Sequence, residues 1–274
     1  MRTGILMLEA DHPGFNDLDY RRRRGEIADL ALTHAPGQVP PRCDYLPHEH
    51  ATWGAVFTEL LGLFPTHACR EYNEAIKAIG FTPDAVPQLA DVDAFLRART
   101  GFRVAPVAGL VSSRDFFASL ANRTFPATQY LRHHSVPHYT PEPDICHELL
   151  GHVPMLATQF YADLTQKIGE ATLGATDEQI EQFGRLYWYT VEFGLVRENG
   201  ALKAYGAGLL SSFGELTHAL AGAPGEPEIR KFDPDAARQI ENPITKYQPL
   251  LWEVDSLREA FELVNVSIER MRRG

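Results

Sequence analysis

A chain of 274 residues, 44% hydrophobic and 23% charged, can enclose a substantial core and has the composition of a globular protein. Its formal net charge of −10 and pI near 5.5 argue against nucleic acid or an anionic membrane as partner, because either would demand a concentrated cationic face. Cys43, Cys69 and Cys146 are odd in number and widely spaced, which argues against a disulfide framework or a cysteine zinc site and fits a reducing cytoplasm. The start, Met1 to Glu9, is too short an apolar stretch for a signal peptide, and no later run approaches the ~18 apolar residues of a membrane span.

From the N-terminus, Asp17 to Leu32, His48 to Leu63, His67 to Ile79, Val92 to Arg99 and Arg114 to Ala121 carry helical spacing. The basic run Arg21 to Arg24 lies inside the first of these and reads as a solvated helix face. A short strand is expected from Thr128 to Leu131, followed by Arg132, whose guanidinium could clamp a carboxylate in bidentate fashion or simply form a surface salt bridge. The histidines after it, His133, His134 and His138, are assigned surface or supporting roles. Ala157 to Ala171, Asp177 to Phe193, Ser212 to Ala221, Pro234 to Ile240 and Val254 to Arg272 are again helical, and Asn199-Gly200 marks a hairpin across Gly194 to Tyr205. With no repeat and no Pro/Gly-rich linker, one domain over residues 1–274 is expected, mainly α with a few short β-strands.

The densest chemistry lies in Tyr139 to Pro154, where His147 and His152 stand among three carboxylates. Five residues apart, the two imidazoles would point about 140° away from each other on an α-helix, so they converge only if the helix ends or distorts near Gly151. The same spacing separates the segment from the His-Glu-x-x-His zinc motif. By themselves, a helix-capping His147 and a core His152 read equally well. Glu192 adds a carboxylate inside the apolar stretch Tyr187 to Leu195, where an unpaired charge would cost several kcal/mol. Two histidines and one carboxylate form the facial triad of non-haem iron(II) oxygenases, against the alternative of a structural Glu192 salt bridge. Trp188, one turn before Glu192, is either a wall for a flat apolar ligand or ordinary core. Asp144 is a candidate to orient the His147 imidazole, or a turn former.

Asp11 to Phe15, Thr66 to Cys69, Pro106 to Phe116, Thr140 to Pro154, Trp188 to Leu195 and Ala204 to Glu215 together resemble the catalytic domain of the tetrahydropterin-dependent aromatic amino acid hydroxylases, nearest the phenylalanine 4-hydroxylase branch. The resemblance implies that fold and an iron(II) centre on His147, His152 and Glu192. It implies substrate contacts by Arg132, Thr140 and Ser211 to the amino acid carboxylate, and a ring pocket of Trp188, Phe193, Pro143 and Gly208. It implies a tetrahydropterin site on Gly109, Val111, Ser113 and Phe116, with Phe116 stacking on the pterin and Glu148 facing it near the iron. Its regulatory domain and tetramerisation arm find no counterpart here, so a monomer is expected.

The activity implied is ring hydroxylation using O₂ and the pterin. Trp188 favours phenylalanine or tyrosine over tryptophan, and Ile244 stands where the tyrosine enzymes carry an aspartate, which puts phenylalanine first and tryptophan 5-hydroxylation second. From another class, a zinc hydrolase would use the same three ligands with Glu148 as base.

Overall fold

A computed structural model describes Leu8, residues 12–138, Thr140, and residues 142–221, 226–243 and 246–273. Asp11, Tyr139, Pro141 and Ile244, all drawn on above, lie outside those residues. In chain order the elements are α1 (Leu18–Leu32), α2 (Pro47–His67), α3 (Arg70–Ile79), α4 (Leu89–Arg99), β1 (Arg103–Pro106), α5 (Ser113–Ala121) and β2 (Thr124–Ala127). A first π turn (His147–His152) runs into α6 (Val153–Leu156), followed by α7 (Gln159–Thr172) and α8 (Asp177–Tyr187), which passes into a second π turn (Trp188–Glu192). Then come β3 (Gly194–Glu198), β4 (Ala201–Ala204), α9 (Ala207–Leu210), α10 (Phe213–Ala221), β5 (Glu228–Lys231), α11 (Pro234–Ala237), β6 (Leu250–Val254) and α12 (Leu257–Arg273). The expectation of a helix-rich chain with few strands is met.

Local chemistry explains most helix starts. Asp17 accepts the Tyr20 amide at the head of α1, Ser112 that of Asp115 at α5, and Thr176 with Gln179 forms a capping box on α8. The expected hairpin is present: β3 pairs antiparallel with β4, and Asn199 and Gly200 take the positive φ values, 51° and 82°, that the tight turn requires. β6 and β5 extend it by parallel pairing in the order β4-β3-β6-β5, while β1 and β2 form a separate parallel pair. One contiguous core joins residues from Ile27 to Met271.

Several boundaries differ from expectation. The second helix runs to His67, and the chain breaks at Ala68-Cys69, where the Cys69 amide bonds to the Ala204 carbonyl. The strand expected at Thr128 to Leu131 lies earlier, at β2, because its partner β1 pairs Arg103 with Thr124. Val254 closes β6 and does not open the last helix, since Val196 of β3 pairs with it. Nor is the arginine run a solvated face throughout: Arg23 grips Glu49, and Arg24 is buried over the Tyr130 ring and paired with Glu142. A guanidinium can pack its flat face on an aromatic ring while its edge keeps a carboxylate.

Candidate active site

The histidine spacing is reconciled by a π turn. In such a turn the amide bonds five residues back, as Val153 N–H does to Glu148 O, so residues five apart stand nearly over one another. The helix therefore widens, and Gly151 does not end it. Gly151 is needed for another reason: a Cβ there would come within 2.7 Å of the Ala207 carbonyl of α9. The second π turn repeats the device, with Phe193 N–H on Trp188 O, and α9 presses on it too, since a Cβ on Gly206 would lie 2.4 Å from the Glu192 carbonyl oxygen. One short helix thus clasps both widened turns, and the regular helix expected from Asp177 to Phe193 gives way to this packing.

The clasp brings three donors together. His152 Nε2 lies 3.1 Å from His147 Nε2 and 3.1 Å from Glu192 Oε1, and His147 Nε2 is 3.7 Å from Glu192 Oε2. The Ser211 hydroxyl donates to the Ala207 carbonyl at 2.8 Å, so its oxygen accepts from His147 Nδ1 at 2.8 Å. That network assigns the His147 proton to Nδ1 and leaves Nε2 as a bare lone pair facing the other two donors. Burial pushes His147 down to about 4, the neutral, metal-ready form. Burial alone would raise Glu192, but the facing His152 outweighs it and holds the carboxyl below its ordinary range. Two imidazole nitrogens and a carboxylate around one point form a cluster that a shared cation stabilises, and the donor set suits iron(II). Ser211 is thereby committed to His147, whereas Asp144, the candidate orienter, touches only that residue's backbone N–H, at 3.1 Å.

Glu148 also approaches both imidazoles, within 4.8 Å, yet differs in state. Burial drives its carboxyl well above the usual range, and Thr128 holds Oε1 through its amide at 3.2 Å and its hydroxyl at 3.3 Å. Glu192 is accordingly the charged member of the cluster. Thr128, invisible as a functional residue in the sequence, is what anchors Glu148.

Around this floor the expected substrate residues are placed unevenly. Trp188 and Phe193 pack with ring centroids 4.7 Å apart and planes tilted by 35°, and a Cβ on Gly208 would strike the Phe193 ring, so these three form one wall. Arg132, 6% exposed, grips Asp144 with Nε and Nη2 and gives Nη1 to the Pro137 carbonyl, so two of its five N–H groups remain for another acceptor. Burial opposes ionisation of Asp144, but Arg132 wins and holds its carboxyl below the usual range. Thr140 turns its hydroxyl to the Glu142 carbonyl at 2.7 Å, and the Pro143 carbonyl oxygen lies 3.5 Å from the Thr128 hydroxyl oxygen.

The expected pterin residues sit on the rim. Gly109 and Val111 belong to the loop entering α5, and Ser113 opens that helix, which Ser112 caps. Phe116 connects this rim to the floor: its ring meets Phe125 at 6.1 Å and Tyr187 at 5.4 Å, and those rings lie 4.5 and 6.4 Å from that of His152. Phe125 and Tyr187 gave no functional signal in the sequence. Among the extra histidines, His133 bonds to Asp17 and Ser135, and His138 pairs with Glu59, so neither joins the cluster.

A helix-rich fold whose floor gathers two histidines and a carboxylate beneath an aromatic wall has the form of a two-histidine, one-carboxylate metal enzyme. Residues 5–274 match the family model for biopterin-dependent aromatic amino acid hydroxylases, and the chain belongs to that family. It is 51% identical to bovine (Bos taurus) tyrosine 3-monooxygenase over 270 residues, covering 97% of this chain and 54% of that protein. It is also 51% identical to mouse (Mus musculus) phenylalanine-4-hydroxylase over 261 residues, covering 94% and 57%. The chain thus spans about half the length of these curated relatives. Among solved structures, the phenylalanine hydroxylase of Colwellia psychrerythraea 34H aligns with a TM-score of 0.81 at 30% identity, over 88% of this chain and 91% of that one. The Chromobacterium violaceum phenylalanine hydroxylase with bound iron(III) and 7,8-dihydrobiopterin aligns at 0.78 and 33%, over 83% of each. The resemblance read from the motifs is borne out, although identity favours neither the tyrosine nor the phenylalanine enzymes.

Proposed function

We propose that the chain is an iron(II)- and tetrahydropterin-dependent monooxygenase that hydroxylates the ring of an aromatic amino acid, with L-phenylalanine, converted to L-tyrosine, as its substrate. The observation that carries the reading is the convergence, in a largely enclosed corner, of His147 Nε2, His152 Nε2 and the Glu192 carboxylate, with Ser211 fixing the His147 tautomer. When bound, iron(II) and the pterin supply the electrons by which one atom of O₂ enters the ring and the other is reduced. The protein's own part is placement. His147, His152 and Glu192 hold the metal, Phe116 offers a face to the pterin, and Trp188 with Phe193 holds the ring flat. The two uncommitted N–H groups of Arg132 are directed to the substrate carboxylate, and Glu148, whose ionisation burial opposes, faces the pterin side, where its protonated form would donate a hydrogen bond.

Phenylalanine is favoured by the wholly apolar Trp188–Phe193 wall and by Ile244 in the sequence. Tyrosine 3-hydroxylation is the second reading, because tyrosine 3-monooxygenases match this chain at the same identity. A zinc hydrolase fits less well, since burial of Glu148 opposes the ionised form that a general base needs. No helix among the described residues is long and apolar enough to cross a membrane, and the three cysteines are free and buried, which supports a reducing cytoplasm. We take the chain to act as a monomer, which sedimentation checks. The functional test is anaerobic loading with Fe(II), then air, tetrahydropterin and the three aromatic amino acids in competition. Tyrosine as the main product supports the reading, dopa moves it to the tyrosine enzyme, and no pterin-dependent product overturns it.

A further inference from the structure

Gln248 belongs to none of the sets above, yet it is 2% exposed and uses both ends of its side chain. Its Oε1 accepts from the Trp188 indole Nε1–H at 2.9 Å, and its Nε2–H donates to the Pro243 carbonyl at 3.0 Å. Its backbone N–H reaches Glu215 Oε2 at 3.4 Å, which fixes the residue from a third side. A buried amide with donor and acceptor both satisfied resists turning, because any rotation strands two polar groups in a low-dielectric interior. The segment it holds is pinned again by Tyr189, whose hydroxyl donates to the Glu241 carbonyl at 3.1 Å.

We infer that Gln248 is a positioning residue for ring selectivity: it locks the Trp188 indole to the 241–243 segment, so that the pocket wall and the chain leading to Ile244 behave as one rigid piece. This rests on the reading that Trp188 walls the substrate pocket. Gln248 touches no reacting group and acts through Trp188. With the indole fixed against Phe193, the pocket admits one six-membered ring and resists the wider indole of tryptophan. Without the lock, the indole N–H loses its Gln248 acceptor and the ring can swing to make room.

The test is Gln248→Met, which keeps the length and removes both hydrogen bonds, measured in the iron-loaded enzyme labelled with 5-fluorotryptophan. Trp53, Trp188 and Trp252 should give three fluorine signals, with Trp188→Phe identifying one of them. The inference expects the Trp188 signal alone to move, and the preference for phenylalanine over tryptophan in kcat/KM to fall about tenfold, chiefly through KM. An unmoved Trp188 signal, or a moved signal with unchanged preference, overturns it. Should Gln248→Met fail to fold, Gln248→Glu keeps an oxygen for the indole: it must hold the Trp188 signal and most of the preference, and loss of preference with that signal in place overturns the inference. A parent enzyme that forms no hydroxylated product defeats the functional reading instead, a result the fluorine signals distinguish.

Discussion

The proposed metal corner and the proposed pterin rim are built on opposite plans. At the corner, His152, Glu148 and Ser211 are buried, and the His147 imidazole is bonded to a side chain 64 residues away. At the rim, Leu110 and Val111 stand 75% and 39% exposed on a loop, and only Phe116 leads inward through other rings. The difference teaches where precision is needed: three donors must meet at one point, whereas a flat cofactor can be accepted by a surface and a single stacking face.

That contrast orders the expected effects. The largest lies behind the corner: Asp144→Ala leaves Arg132 buried and unpaired, and should destabilise the fold by roughly 3–5 kcal/mol, seen as a Tm drop on the order of 10 °C. A drop of a degree or two would mean that water reaches the guanidinium. Next, Ser211→Ala frees the His147 ring and should weaken iron(II) affinity by about 10–100-fold while pterin KM barely changes. The rim should behave in reverse. Phe116→Ala is expected to raise pterin KM by about 3–10-fold with iron affinity intact, and loss of iron instead would show that the two regions are mechanically one.

The smallest effect is a pH slope from Glu215, whose carboxyl burial pushes up to about 7. Because the folded state binds the proton more tightly than the unfolded chain, its contribution is fully present below the ordinary value of 4.5 and is lost as pH rises towards about 7. Denaturant titrations between pH 5 and 8 should therefore show a stability decline that Glu215→Gln flattens. An unchanged slope in the variant would assign the decline to another group.

Much of this could be read from the chain itself, for a physical reason. Helix caps such as Asp17 and Thr176, and the Asn199-Gly200 turn, are local, and local signals survive in sequence. The identities of His147, His152 and Glu192 were legible as well, but not how they meet. An α-helical reckoning set the histidines on different faces, and only the packing of α9 and its capping Gly206 against Gly151 and Glu192 shows why widened turns form. Arg132 read as a clamp or a surface salt bridge, because nothing in its surroundings announces that Asp144 would pair with it in the interior. β5 and β6 escaped notice for a related reason: their partners are defined only by the sheet, and Glu228-Ile229-Arg230-Lys231 carries the charges of an edge strand and no alternation. Gln248 and Thr128 gave no signal at all, since each matters only through a contact tens of residues away or through a neighbour's role.

The central claim is that His147, His152 and Glu192 form one metal site. Anaerobic titration with Fe(II) tests it most directly, comparing the chain with Glu192→Ala and following bound iron after gel filtration. The account predicts about one iron per chain, lost in the variant while its fold persists. Full iron binding by Glu192→Ala, or none by the parent chain, would contradict it.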